Sequence, residues 1–193
     1  VLRIGGTATP RLLESSTLRL LDSAVIRGEH VNLRAVERPD APEFFRWLND
    51  TDVMRYWGAP QSVMSSNEVQ RWIEGWLERE TRLGRPVCLV VETIEGEAIG
   101  FVLLDEYRPE HRSTGLSLMI GERERWGQGL GADALRTVVD VCFSSWNMHR
   151  IGLRCEAFNQ RAQRLYQRCG FMHEATLRDA TFADGEFHDV YVY

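Results

Sequence analysis

The sequence predicts an α/β domain of the α+β kind: a mixed, mostly antiparallel central sheet with helices on both faces. Three observations carry this. Leu116–Cys142 runs from an alternating apolar segment, through Gly127, Gly129 and Gly131, into a helical pattern. The two later helical patterns each lie between strand-like segments, as crossovers do. Elsewhere, strand-prone runs meet at short Gly-containing turns, the signal of antiparallel hairpins. At 193 residues the chain is long enough for one such domain with a sizeable core.

Residues 1–27 read as an N-terminal extension, because Thr17–Leu21 and Val25-Ile26 are strand-like with nothing to set their register. The domain proper spans 28–193. Val31, Leu33 and Ala35 alternate on one face of a first strand over 31–36. Asp40-Ala-Pro-Glu43 reads as a helix start, with a capping Asp, an early Pro and a Glu at the box position. Phe44, Phe45, Trp47 and Leu48 give that helix its apolar side, and Asn49–Met64 reads as loop. Ser65-Ser-Asn-Glu68 is a second capping box, followed by Val69, Trp72, Ile73, Trp76 and Leu77 at helical spacing and closed by Gly84. Strands over 87–92 and 98–104 join across Ile94–Glu97, and a reversal over 105–114 leads into the strand before the glycine loop. Ile151, Leu153, Cys155 and Ala157 then share one face of a single strand over 149–157. Asn159 caps a short helix with the stripe Ala162, Leu165, Tyr166 and Cys169, which ends at Gly170. Asp184-Gly185 closes the chain as a hairpin turn.

The net charge of −5 leaves no basic excess to displace counterions, so nonspecific nucleic-acid binding is not expected. No apolar run reaches the length of a membrane span, and the first residues lack a signal-peptide pattern. Cys88, Cys142, Cys155 and Cys169 form no CxxC pair and sit in apolar patterns, which predicts buried, reduced thiols and a cytoplasmic setting. The five histidines show no ligand spacing, so no metal is expected.

The glycine loop is where chemistry is expected. Glycines let backbone N–H groups approach a ligand, and the helix start adds unpaired donors and the positive end of its dipole. Such a place suits a phosphate or pyrophosphate. The run Gly127-Gln128-Gly129-Leu130-Gly131 is one residue short of the dinucleotide fingerprint, and Gly131-Ala132-Asp133 lacks the Lys of a P-loop. Simple nucleotide cradles are therefore disfavoured.

WGQGLGADAL, over 126–135, resembles the acyl-CoA-binding loop of the GNAT N-acetyltransferases, with Gly129 and Gly131 at its two glycine positions. Trp126 stands where that loop carries Gln or Arg, a substitution similar to the ribosomal-protein alanine N-acetyltransferase branch. Asn159-Gln-Arg-Ala162 through Leu165-Tyr166 to Gly170-Phe171 is similar to the family's Asn-x-x-Ala…Leu-Tyr-x-x-x-Gly-Phe. Val53–Trp57, Glu106-Tyr107 with His111-Arg112, and Asp184–Phe187 are also similar to the spermidine N-acetyltransferases. The chain departs from these at Tyr56–Pro60, where acidic residues would be expected to hold a polycation.

The resemblance implies a single GNAT-like acyltransferase domain with acetyl-CoA as co-substrate, no metal, and a primary amine as acceptor, either a protein N-terminus or a small molecule such as a polyamine. It implies that the pyrophosphate lies on Trp126, Gly127, Gln128, Gly129, Leu130 and Gly131, with Arg123 and Arg125 adding positive charge. It implies that backbone groups of Leu118, Met119 and Ile120, together with Asn159, hold the pantetheine arm, and that the closing strands can pair two subunits. A CoA-binding sensor without turnover is the competing class. A lysine-like amine is handicapped by about 4.6 kcal/mol at pH 7, because only about 0.04% of it is neutral, so a base is needed. Tyr166 is the expected proton donor to the departing thiolate. The base position on the strand before the loop is Gly115, which carries no side chain, and Glu106 is the expected substitute, with Asp105 and His111 as alternatives.

Overall fold

The computed structural model describes residues 25–57 and 63–193. Residues 1–24 of the expected extension lie outside the described residues. The next three join the sheet: β1 (Val25–Arg27) pairs antiparallel with β2 (Val31–Ala35). Then come α1 (Ala41–Leu48), α2 (Thr51–Met54), α3 (Ser66–Leu83), β3 (Cys88–Thr93), β4 (Ala98–Arg108) and β5 (Ser113–Ile120). The chain continues through α4 (Leu130–Ser144), β6 (Arg150–Gly152), β7 (Arg154–Glu156), α5 (Gln160–Arg168), β8 (Ala175–Ala183) and β9 (Glu186–Val192).

β1 to β6 form one sheet in chain order, antiparallel except where β6 joins β5 in parallel after the α4 crossover. β7, β9 and β8 form a second sheet in that order. Helices cover both faces of the first. Leu135, Val138 and Cys142 of α4 pack with Leu33, Val91 and Leu116 on one side. Phe44, Trp47, Ile73 and Trp76 of α1 and α3 pack with Val90, Phe101 and Met119 on the other.

Several local expectations hold. Ser65 Oγ accepts from Glu68 N at 3.2 Å, Gly84 closes α3 with φ 66°, and the turn at Asp184-Gly185 has positive φ at both residues. Four expectations need correction. Asp40 makes no side-chain cap on α1; its carboxylate instead takes a bidentate grip from Arg34 (2.7 and 2.8 Å) and the N–H of Glu37. The expected loop after Asn49 contains α2, capped by Asp50, which accepts from Asp52 N and Val53 N, and a 3-10 turn over Arg55–Trp57. The reversal at 105–114 is tighter than expected, since β4 runs on to Arg108. Finally, the single strand over 149–157 is two strands in two sheets. Leu153, between them, exchanges both backbone hydrogen bonds with Tyr193, at 2.9 Å each, and so swings the chain away from β5.

The start of α4 is tied to the sheet by a buried carboxylate. Asp133 accepts from His30 N (2.7 Å), Val31 N (3.0 Å) and Glu29 N (3.3 Å). Removing it would leave the buried N–H of Val31 without a partner. Asp133→Ala is expected to cost about 2 kcal/mol in urea unfolding; an unchanged midpoint would show that the tether carries no load.

Candidate active site

β5 and β6 stay paired only from Ser113↔Arg150 to Gly115↔Gly152. Past that point β5 borders an open gap, with β7 on the far side. The register decides which backbone groups face it. Gly121 N donates to Ile99 O at 2.8 Å, and Ile120, Met119, Leu118 and Ser117 lie opposite Gly100, Phe101, Val102 and Leu103. Strand alternation then turns the peptide groups of Met119 and Ser117 towards β4, and those of Leu118 and Ile120 into the gap. The carbonyl of Ile120 is taken by the indole N–H of Trp126 at 2.7 Å. Leu118 N–H and C=O and Ile120 N–H therefore remain for a ligand. Of the three strand residues expected to offer backbone groups there, Met119 does not.

The gap opens into a cavity of about 710 Å³, within the range of small-molecule sites. Leu118, Met119, Ile120, Trp126, Gly127, Gly129, Gly131, Asn159 and Tyr166 all line it. Leu103 packs with the α1/α3 core and Leu118 with the α4 core, so the cavity reaches both faces of the sheet. Gly129 is the residue before α4 and has φ 85°, a left-handed conformation that lets the loop turn its N–H groups to one side. Asn159 Oδ1 accepts from Ala162 N at 3.1 Å, so the helix-cap role is filled while the residue also borders the cavity.

Five expected site residues stand elsewhere. Gln128 donates to Glu124 O at 2.7 Å and is exposed. Leu130 begins α4 and packs against the α4 core rather than lining the cavity. Arg125 is paired with Glu97, as Arg123 is with Asp50 and Asp52, so the expected charge at the loop mouth is neutralised. Glu106 is exposed and lies 3.5 Å from Arg154.

The cations at the cavity are ones that the sequence reading missed: Arg136 and Arg154, with Arg161, Arg164 and Arg168 of α5. The signal was present, since 161, 164 and 168 fall on one helical face. Arg161 lies 3.8 Å over the Trp126 ring and 5.3 Å from that of Tyr56. Asp105 and Glu156 supply the carboxylates of the wall. Both are pushed above the usual carboxylate range, first by burial, and Asp105 also by the charge of Glu106.

Tyr166 is 7% exposed. Among the described residues its hydroxyl has no hydrogen-bond partner, and that oxygen is not sealed from the cavity. Burial, then Cys155, Glu156 and Tyr193, raise its pKa. The phenol is thus fully protonated near neutrality, a loaded proton donor but a weaker acid than an ordinary tyrosine. Three cysteines are buried and Cys169 is half-buried; burial pushes Cys142 and Cys155 up to about 12, out of nucleophilic range. Among the described residues no His, Cys, Asp or Glu cluster is disposed to hold a metal ion, and no helix is long and apolar enough to cross a membrane.

A sheet parted beside a glycine loop that opens a helix, with a phenol in the gap, makes a site for an extended ligand with an anionic end. The chain belongs to the acetyltransferase (GNAT) domain family, whose model matches residues 30–172. It is an N-acetyltransferase with acetyl-CoA as acyl donor. It is 29% identical to the spermidine N(1)-acetyltransferase of Vibrio cholerae serotype O1, over 84% of this chain and 91% of that one. It is 30% identical to the spermidine N(1)-acetyltransferase of Escherichia coli K12, over 82% of each. The crystal structure of spermidine N-acetyltransferase from Vibrio cholerae in complex with CoA and spermine superposes with a TM-score of 0.76, at 28% identity, covering 84% of this chain and 93% of that one.

Gly129→Ala should weaken acetyl-CoA binding roughly fivefold, since a β-carbon at that φ costs about 1 kcal/mol. Calorimetry with acetyl-CoA measures this; unchanged affinity would remove the loop from the binding site.

Proposed function

We propose that the enzyme acetylates a primary amine of a small cationic molecule, by direct attack of the amine on the thioester of acetyl-CoA. The observation that carries this reading is the cavity reaching both sheet faces, with the loop glycines and Arg136 on the α4 side and Trp57 and Asp105 on the other. On the α4 side, Leu118 and Ile120, the loop glycines at 129 and 131 and Arg136 suit an arm with amides and phosphates. On the α1/α3 side, Trp57 and Asp105 suit an alkylammonium: the ring offers its face and the carboxylate its charge. Two spermidine N(1)-acetyltransferases among the relatives support a polyamine as the particular amine.

In this reading Ile120 N–H steadies the developing oxyanion, since Met119 N–H is committed to β4. Tyr166 gives its proton to the sulfur as the C–S bond breaks. The reading extends to a cytoplasmic protein, supported by four free cysteines. It extends also to a homodimer, supported by the exposed Leu177 and Phe182 on β8, the edge of its sheet.

Thiol release from acetyl-CoA, followed against spermidine, amino acids, aminoglycosides and an N-terminal peptide, tests the acceptor class. Saturable turnover with spermidine well above the others is expected; turnover with the peptide alone would overturn the small-amine assignment. Tyr166→Phe should lower kcat roughly tenfold or more while leaving acetyl-CoA affinity nearly unchanged. An unaltered kcat would take the phenol out of the chemistry.

A further inference from the structure

Asp105 and Gly115 lie opposite each other on β4 and β5. A β-carbon on residue 115 would stand 1.9 Å from Asp105 Oδ1 and 3.2 Å from its Cγ. The carboxylate of one strand therefore fills the side-chain space of its neighbour, and any residue larger than glycine at 115 would evict it. Thr114 Oγ1 holds the register by donating to the Asp105 carbonyl at 2.9 Å. Beyond this pair the ladder bulges: the partners resume at Arg108↔Ser113, and Glu106 takes φ 44°. The bulge separates two adjacent acids. Glu106 goes to solvent and Arg154, while Asp105 stays half-buried on the cavity wall beside Trp57, Leu103 and Ser117.

We propose that Asp105 is the proton acceptor for the incoming amine, delivered from β4 into the side-chain position that Gly115 leaves empty on β5. The inference rests on the acetyl-transfer reading above. The substrate ammonium carries two protons that the amide product lacks. Asp105 takes the first, directly or through one water, and passes it to solvent. The second leaves nitrogen as the N–C bond forms and the C–S bond breaks; Tyr166 gives its own proton to the sulfur and regains this one. Three charged groups act on Asp105: Glu106 on its own strand, Arg79 from α3 and Arg154 from β7. Burial and Glu106 outweigh the two arginines and raise its pKa. Only the ionised form accepts, so activity should fall as pH drops through a value above the ordinary aspartate range.

The test is steady-state thiol release with an amine that the wild type acetylates, beside calorimetry with acetyl-CoA. Asp105→Asn is expected to lower kcat roughly 100-fold, leave acetyl-CoA affinity unchanged and abolish the acid limb of the pH profile. Gly115→Ala, which keeps Asp105 but occupies its space, should lose roughly tenfold. Moving the carboxylate across the ladder, as Asp105→Ala with Gly115→Glu, should recover roughly tenfold or more over Asp105→Ala alone. That recovery is a result a merely structural aspartate would not give. An Asp105→Asn enzyme at wild-type kcat overturns the proposal, and so does one that keeps the acid limb while Glu156→Gln removes it. Wild-type protein that binds acetyl-CoA but acetylates no amine overturns the acetyl-transfer reading instead.

Discussion

The site exists because β5 loses its neighbour after Gly115. A peptide group at a sheet edge needs a partner, and one closed off without it costs about 1–3 kcal/mol. Leu118 and Ile120 hold such groups at the floor of a partly closed cavity. Water or a ligand must answer them, and a chain of amides lying along the strand answers them as another strand would. The sheet is complete up to Gly115 and leaves its next place for something extended.

Holding that place open takes contacts some distance away. Tyr193 captures both hydrogen-bonding groups of Leu153, so the strand after β6 cannot follow β5 any further. On the opposite side, the indole N–H of Trp47 donates to Glu122 at 2.7 Å, and Gly121 packs flat on that ring, where a β-carbon would lie 2.1 Å from Trp47 Cγ. This fixes the exit of β5 against α1, while Asp133 fixes the start of α4 against β2. The glycine loop between these two anchors has little freedom left, which suits a site that must meet a ligand without first ordering itself.

Charge is distributed in the same spirit. The chain carries a net charge of −5, yet its cavity draws arginines from α4, β7 and α5. Those at the loop mouth are cancelled by carboxylates from α2 and the β3–β4 turn. The remaining positive charge lies inside the cavity, where Arg161 rests on the Trp126 ring and Arg154 reaches towards Glu106 and Asp105.

The sequence by itself determined what depends on near neighbours. The Ser65 cap, Gly84, Asn159, the Asp184-Gly185 turn and the passage from strand through glycine loop to helix are local devices, and each sits where its residues require. So did the motif residues Tyr166, Trp126, Gly127, Gly129 and Gly131, which share one cavity. Only the tertiary structure decided what depends on a competing partner. Residues 149–157 alternate evenly and carry no mark that Leu153 would bond Tyr193 in place of β5. Asp105 and Glu106 are adjacent acids in the sequence, and a bulge set by pairing with β5 sends one inward and one out. Arg125 looks like a free cation until Glu97 arrives from another turn. Backbone alternation relative to β4, which the chain does not spell out residue by residue, withdrew Met119 and left Leu118 and Ile120 facing the gap. Capping and turn chemistry act within a few residues, whereas strand pairing is a contest among segments far apart, settled only when all of them are present.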